Sequence, residues 1–239
     1  MKKNIVTIGL LLFSLFAKAD ARAFFDEADA LFSKYVKDGK VKYKAIQQQA
    51  KDLENLMDHI ANAQTKSMDA KTSKAFYLNA YNLLVIKNVV EHYPIKSPMD
   101  VDGFFDKVTF NVAGKQITLN NLEHDIVRPQ YKDSRIHFAL VCAAMGCPEI
   151  PNFAFMPEKV DSQLQTLTKK ALDSPKFTRV KNSSNKLLVS EIFKWYKDDF
   201  LREADSLLDY INRYRSKKIE KGFKIDYYNY DWALNEAGS

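Results

Sequence analysis

The stretch TSKAFYLNAYNLLVIKNVV, residues 72–90, decides the fold prediction for this chain. Its apolar side chains recur three and four residues apart, which predicts a long helix capped by Thr72 or Ser73. Asn79 and Asn82 share one face of this helix, and two asparagines in an apolar helix are costly unless their amides are paired. They either bond internally and fix the helix against a loop, or they form a polar edge of a site as orienting or oxyanion groups.

Helical periodicity and strand alternation place further elements on both sides of this helix. Helices are predicted over 21–36, from Leu53 to Ile60, over 122–127 with a cap at Asn120 or Asn121, from Pro157 to about Leu172, over 191–200 and over 204–215. Hairpins are predicted at 107–119 and 177–189, a buried strand at 135–142 and a terminal strand at 223–228. Because helices cluster early, strands come late and βαβ alternation is absent, we expect an α+β fold with helices packed on a mostly antiparallel sheet.

The first 19 residues, MKKNIVTIGLLLFSLFAKA, have the pattern of a secretory signal peptide. Lys2 and Lys3 precede an apolar run, and the small residues at 17 and 19 form a cleavage site. We therefore expect residues 20–239 to form a single periplasmic or secreted domain, without stable membrane insertion after cleavage. Cleavage removes three lysines and lowers the net charge from +6 to +3, which gives no reason to propose a nucleic-acid partner.

The composition excludes several classes of protein. With 46% hydrophobic and 28% charged residues, the chain is neither disordered nor fibrous. Only 2 Cys are present, which excludes a disulfide-dense scaffold. No glycine-rich phosphate loop occurs, and the sequence predicts no cofactor.

Residues capable of chemistry concentrate between positions 123 and 148. This region contains Glu123, His124, Asp125, Arg128, Arg135, His137, Cys142 and Cys147. A nucleophilic cysteine needs a base within hydrogen-bond reach, so Cys142 is the candidate nucleophile, with His124 or His137 as base. On a regular strand, positions 137 and 142 face opposite sides, which favours His124 unless a bulge intervenes. Glu123, Arg128 and Arg135 are candidate binding residues in the same region.

Other interpretations of the two cysteines remain open. Cys142 lies in an apolar segment, where a cysteine commonly acts as a small buried hydrophobic residue. Cys142 and Cys147 can also form a disulfide if the chain turns at Gly146. A zinc site using these cysteines with His124 and His137 is a third alternative, although the spacing matches no compact zinc motif.

Several motifs of this chain resemble the DUF547 family. The main ones are FYLNAYN at 76–82, LEHDIVR at 122–128 and RIHFALVCAAMGCP at 135–148, supported by VKDGKVKY at 36–43, WYKDDF at 195–200 and YDWALN at 230–235. They follow the family's order and cover nearly the whole chain after the signal peptide. The family is uncharacterised and is similar to papain-like and transglutaminase-like cysteine hydrolases. This resemblance implies a helix packed on an antiparallel sheet.

The resemblance also implies a function. In those hydrolases the nucleophilic cysteine opens the central helix, but here Asn79 and Asn82 occupy that helix, while His137 resembles the enzymes' histidine. Either Cys142 acts as nucleophile from a new position, or the scaffold binds without hydrolysis. We therefore expect cysteine-dependent acyl transfer or amide hydrolysis on peptide or cell-envelope material. The alternatives are a catalytically inert binding module and a structural zinc-binding domain.

Overall fold

The computed structural model describes residues 22–238. The predicted signal peptide lies outside these residues. The helices are α1 (22–35), α2 (Tyr43–Gln48), α3 (Lys51–Asn62), α4 (Ala70–His92), α5 (Leu119–Asn121), α6 (Arg128–Tyr131), α7 (Val160–Asp173), α8 (Ile192–Trp195), α9 (Lys197–Leu201) and α10 (Leu207–Tyr214). The strands are β1 (Val36–Lys37), β2 (Lys40–Val41), β3 (Thr109–Val112), β4 (Lys115–Thr118), β5 (Thr178–Lys181), β6 (Lys186–Ser190) and β7 (Lys224–Tyr228).

The strands form small sheets, and the α+β prediction is confirmed. β1 pairs with β2, β3 with β4, and β5 with β6, each pair antiparallel. The terminal strand β7 adds to β6 in parallel, with Ile225 opposite Leu187. Among the described residues the largest sheet has three strands. The papain-like core therefore stays a prediction from the family resemblance.

Helix α4 forms the centre of the core. Every side chain from Phe76 to Ile86 is buried, so the helix is surrounded by protein on all faces. It begins at Ala70, because Asp69 accepts hydrogen bonds from the backbone N–H groups of Lys71 and Thr72 at 2.9 and 3.0 Å. The predicted cap at Thr72 or Ser73 is therefore wrong by one turn.

The predicted strand over 135–142 is also wrong. Residues Ser134–Phe138 form a 3₁₀ turn, and an irregular segment follows it. The amide of Asn82 donates to the carbonyl of Ala139 and accepts from the N–H of Val141, both at 2.9 Å. These backbone groups bond to a side chain from α4 rather than to a neighbouring strand, which leaves a buried apolar segment without strand geometry.

Other boundaries differ from the predictions in ways that have local causes. Thr118, not Asn120 or Asn121, caps the helix before position 122 by accepting from the N–H of Asn121 at 3.1 Å. The helix predicted at Pro157 begins at Val160, and the one predicted from 204 begins at Leu207. The helix predicted over 191–200 is divided into α8 and α9.

No helix within residues 22–238 is long and apolar enough to cross a membrane. Helix α4 has the necessary length with 23 residues, but its sequence includes buried asparagines and charged residues.

Candidate functional site

A cavity of about 400 Å³ collects the residues with the richest chemistry. Its lining comes from α4, the 99–106 segment, the segment after β4, the 134–148 segment, α8 with the residue after it, and the C-terminal segment. It includes Tyr81, Asp106, Glu123, His137, Cys142, Trp195, Tyr196, Tyr230 and Trp232. The size falls in the range of pockets that hold small molecules. Three residues proposed from the sequence, Glu123, His137 and Cys142, thus share one cavity.

His137 reaches the cavity because the 3₁₀ turn at Ser134–Phe138 directs it inward, and its side chain is 1% exposed. Its Nε2 atom lies 2.8 Å from Oδ2 of Asp199. A carboxylate only accepts hydrogen bonds, so the neutral ring carries its hydrogen on Nε2 and leaves Nδ1 with a lone pair. The ring of Tyr196 stacks on the imidazole at 3.9 Å between centroids.

Asp199 is held by three cationic or polar groups. Besides His137, Nε of Arg128 and an Nη atom of Arg202 donate to it at 2.8 Å each. Burial alone would raise the pKa of this carboxyl group. The hydrogen bonds from His137 and Arg128 outweigh that effect and hold the pKa well below its usual range. Asp199 is therefore a fixed negative charge behind the imidazole.

Glu123 and His124 are neighbours on a helix of unusual geometry, but their side chains point to different places. Residues Leu122–Val127 form a π-helix, a form that is frequent at functional sites. Glu123 points into the protein and is buried, with Oε1 4.0 Å from Nδ1 of His137. His124 is exposed, does not line the cavity, and has its Nδ1 atom 2.6 Å from Nη1 of Arg128. Of the two proposed bases, only His137 lines the same cavity as Cys142.

Cys142 and Cys147 are joined in a disulfide with an S–S distance of 2.02 Å. The bond is asymmetric in its surroundings. Cys142 is partly exposed on the cavity wall, whereas Cys147 is buried. The backbone N–H of Cys142 donates to Sγ of Cys147 at 3.0 Å. In this state neither sulfur is a free thiol.

Tyr230 joins the disulfide to the C-terminal segment. Its hydroxyl lies 3.1 Å from Sγ of Cys142 and 3.2 Å from Sγ of Cys147. Burial raises the pKa of Tyr230 far above its ordinary value, so the hydroxyl stays a donor. Gly146 permits this contact, because a Cβ there would lie 2.9 Å from the Tyr230 ring and 3.0 Å from the backbone nitrogen of Asp231.

Asn79 and Asn82 have clear partners outside the cavity lining. Asn82 binds the backbone of Ala139 and Val141, as described above. Asn79 donates to the carbonyl of Phe155 and accepts from the N–H of the same residue, both at 2.8 Å. Both amides therefore fix loops against α4, and their proposed orienting or oxyanion roles remain predictions.

The two proposed binding arginines lie in different networks. Arg128 bonds to Asp199 and lies over the ring of Tyr196, 5.1 Å from its centroid. Arg135 does not line the cavity and pairs with Asp133 at 2.7 Å and Asp161 at 3.3 Å. Arg128 thus contacts two residues that pack against His137, while Arg135 belongs to a separate ion-pair network.

Several residues of the site were not assigned to it from the sequence. Asp199 occurs in the WYKDDF motif, whose aromatic neighbours give the local signal, but nothing local shows its contact with His137. Trp195, Tyr230 and Trp232 also line the cavity, and no local sequence signal places them there. Within residues 22–238, no group of three or more His, Cys, Asp or Glu side chains is arranged to hold a metal ion.

The comparisons agree with the motif resemblance. Residues 65–171 match the model of DUF547, described as a protein of unknown function. This part of the chain belongs to the DUF547 family. The DUF547 segment supplies Glu123, His137 and Cys142, while Asp199 and Tyr230 come from the chain that follows it. No curated protein and no solved structure matches the chain.

Proposed function

We propose that the chain is a secreted or periplasmic binding module whose cavity holds a peptide or cell-envelope ligand. The observation that carries this proposal is the disulfide at the cavity wall. It leaves the candidate nucleophile Cys142 without a free thiol, while the cavity stays open for binding. Aromatic rings and a few polar groups line the cavity, a combination suited to small-ligand recognition. The signal-like sequence at 1–19 supports export, and a disulfide fits an oxidising compartment.

The two tryptophans of the chain provide a direct test, since both line the cavity. Short peptides and soluble peptidoglycan fragments are titrated into the oxidised mature protein while tryptophan fluorescence is recorded. The expected result is a saturable change, unaltered ligand by mass spectrometry, and the same affinity in the Cys142→Ser variant. If neither the peptides nor the peptidoglycan fragments bind, the proposal is overturned. Intact mass of the exported protein tests cleavage before Asp20.

A second candidate function is cysteine-dependent acyl transfer or amide hydrolysis after reduction. The His137–Asp199 pair favours it, because a lone-pair nitrogen lies in the same cavity as Cys142. An external dithiol would reduce the disulfide to two thiols and itself become a disulfide. The Cys142 thiol would pass its proton to Nδ1 of His137 and attack the carbonyl carbon, forming a thioester, while the C–N bond breaks and the departing amine takes up that proton. Water or another acceptor would then cleave the thioester and regenerate the thiol.

The Cys147→Ser variant separates the two candidates, since it leaves Cys142 free without reductant. If the second candidate is right, p-nitrophenyl acetate acetylates Cys142 in this variant, and His137→Asn slows the reaction by about 100-fold. His124→Asn is the matched control and should leave the rate unchanged, because His124 lies outside the cavity. An equal rate in both histidine variants would exclude His137 as the base.

A further inference from the structure

Glu123 is a buried acid that forms no salt bridge with a Lys or Arg side chain in the described part of the chain. Its side chain is 7% exposed, and its ion-pair contact there is His137, whose Nδ1 atom is 4.0 Å away and charged only when protonated. Arg128 is near enough to interact with the charge of Glu123: burial acts to lower the pKa of Arg128, and Asp199 and Glu123 act to raise it. Its Nε and Nη1 atoms are directed to Asp199 and His124 instead. Buried charges in proteins are generally paired. Glu123 lines the open cavity, so a cationic ligand in that cavity could reach its carboxylate.

Two neutral hydroxyl groups of the cavity lining interact with the carboxylate of Glu123. Burial, followed by the charge of Glu123, raises the pKa of both Tyr81 and Tyr196, and both hydroxyls have a hydrogen-bonding interaction with that carboxylate. The two tyrosines therefore remain protonated and act as donors. They satisfy part of the hydrogen-bonding capacity of Glu123 without supplying positive charge.

The remainder of the lining suits a cation. Trp195, Tyr230 and Trp232 form an aromatic cluster with centroid separations of 4.8 to 6.0 Å. Asp106 adds a second acidic side chain, and within the described residues the lining contains no Lys or Arg. Aromatic rings attract cations through their quadrupoles, and the attraction grows when the ion is desolvated.

We propose that the cavity binds the ammonium group of an amine-bearing ligand at the Glu123 carboxylate, with the aromatic cluster packing around the rest of the ligand. This proposal deepens the proposed function, on which it rests, by naming the ligand class: small peptides or cell-envelope fragments that present a free amino group. The ammonium group supplies the cationic partner that Glu123 lacks, while the hydroxyl groups of the two tyrosines keep the carboxylate oriented.

Three probes of similar shape and different charge test the proposal: phenethylamine, phenethyl alcohol and phenylacetate. Each is titrated into the oxidised mature protein while fluorescence of Trp195 and Trp232 is recorded. We expect the amine to bind about tenfold more tightly than the alcohol, and phenylacetate more weakly than both. Equal affinity for amine and alcohol, or no binding of the amine up to its solubility limit, overturns the proposal.

The Glu123→Gln variant should bind the amine and the alcohol equally. Asp125→Asn is the matched control, because Asp125 is exposed on the same π-helix and accepts from Asn121. A preference for the amine retained in Glu123→Gln overturns the assignment to Glu123. If Glu123→Gln does not fold, the comparison of the three probes on the wild-type protein still tests the preference for the amine. If the amine binds but peptides and peptidoglycan fragments do not, only the proposed ligand class is overturned. If peptides or peptidoglycan fragments bind but the amine is not preferred over the alcohol, only the role of Glu123 is overturned.

Discussion

The Nε2 atom of His137 lies 2.8 Å from the Oδ2 atom of Asp199, although 62 residues separate them in the sequence. The contact joins the DUF547 segment to the C-terminal third of the chain. It fixes the hydrogen of the neutral imidazole on the side away from Glu123. The direction in which Nδ1 faces thus depends on a residue outside the matched segment.

Replacing Asp199 by Asn tests the second candidate function through this contact. Asn keeps the shape of the side chain but removes the charge and allows the other imidazole tautomer. In a Cys147→Ser background we expect acetylation of Cys142 to slow by about 100-fold or more. The measurement is the rate of p-nitrophenol release between pH 5 and 9, which also reports whether the pH profile moves.

The neighbouring Asp198→Asn variant is the control for this experiment, because Asp198 is exposed and next in sequence. It should retain both the rate and the pH profile. A comparable loss in both variants, or an unchanged rate in Asp199→Asn, would show that Asp199 does not position the base.

The asymmetry of the disulfide predicts which sulfur is attacked by an external thiol. Cys142 is accessible from the cavity, and the departing Cys147 thiolate would keep the N–H of Cys142 and the hydroxyl of Tyr230 as donors. We expect glutathione to form its mixed disulfide on Cys142, and Tyr230→Phe to slow reduction by roughly tenfold through loss of one donor. Acid quenching followed by peptide mass mapping identifies the modified residue.

Tyr227→Phe is a matched control for Tyr230→Phe, since Tyr227 lies on β7 and does not line the cavity. Its reduction rate should equal that of the wild type. Glutathione found on Cys147, or equal rates in Tyr230→Phe and the wild type, would contradict the expected direction of attack.

The sequence predicted elements whose signals are local and missed those set by distant contacts. The periodicity of residues 72–90 predicted α4, and strand alternation predicted the hairpins. The apolar segment 135–142 has a strand-like composition, but its geometry depends on Asn82, which lies more than fifty residues earlier. The absence of a strand here also removes the argument against His137 as a base, because alternation of positions 137 and 142 between opposite faces applies only to a strand.

The same distinction applies to the candidate site. Cys142, His137 and Glu123 fall within one conspicuous stretch, so composition alone selected them. Asp199 and Tyr230 enter the site only through tertiary contacts. The sequence favoured His124 over His137 as the base, but the π-helix turns His124 to the surface.

Asn82 provides a test of the loop geometry. Replacing it by Ala leaves the carbonyl of Ala139 and the N–H of Val141 without their partner in a buried setting. We expect a loss of about 2–4 kcal/mol in the free energy of unfolding, measured by urea denaturation. Asn55→Ala, an exposed position on α3, should change stability by less than about 0.5 kcal/mol. Similar values for the two variants would show that these bonds do not hold the loop.

The ion-pair network around Asp133 predicts a pH-dependent contribution to stability. Asp133 is 11% exposed and lies 2.5 Å from Nζ of Lys74 and 2.7 Å from Nη2 of Arg135. Burial alone would raise its pKa, but the hydrogen bonds and charges of Arg135 and Lys74 lower it to about 2. Because the folded-state pKa is below the unfolded value of about 3.9, the stabilisation is present above that pH and is lost as the pH falls toward 2.

Asp133→Asn should therefore be less stable than the wild type by roughly 2 kcal/mol at pH 7, with the difference shrinking between pH 4 and pH 2. Urea unfolding at pH 7, 4, 3 and 2 measures it. Asp102→Asn is the control and should leave stability nearly unchanged at each of these pH values, because Asp102 forms an exposed, solvent-screened pair with Lys107 at 2.9 Å. A difference for Asp133→Asn that stays constant from pH 7 to pH 2 would mean that the carboxylate stabilises the fold through its shape and hydrogen bonding rather than through its charge.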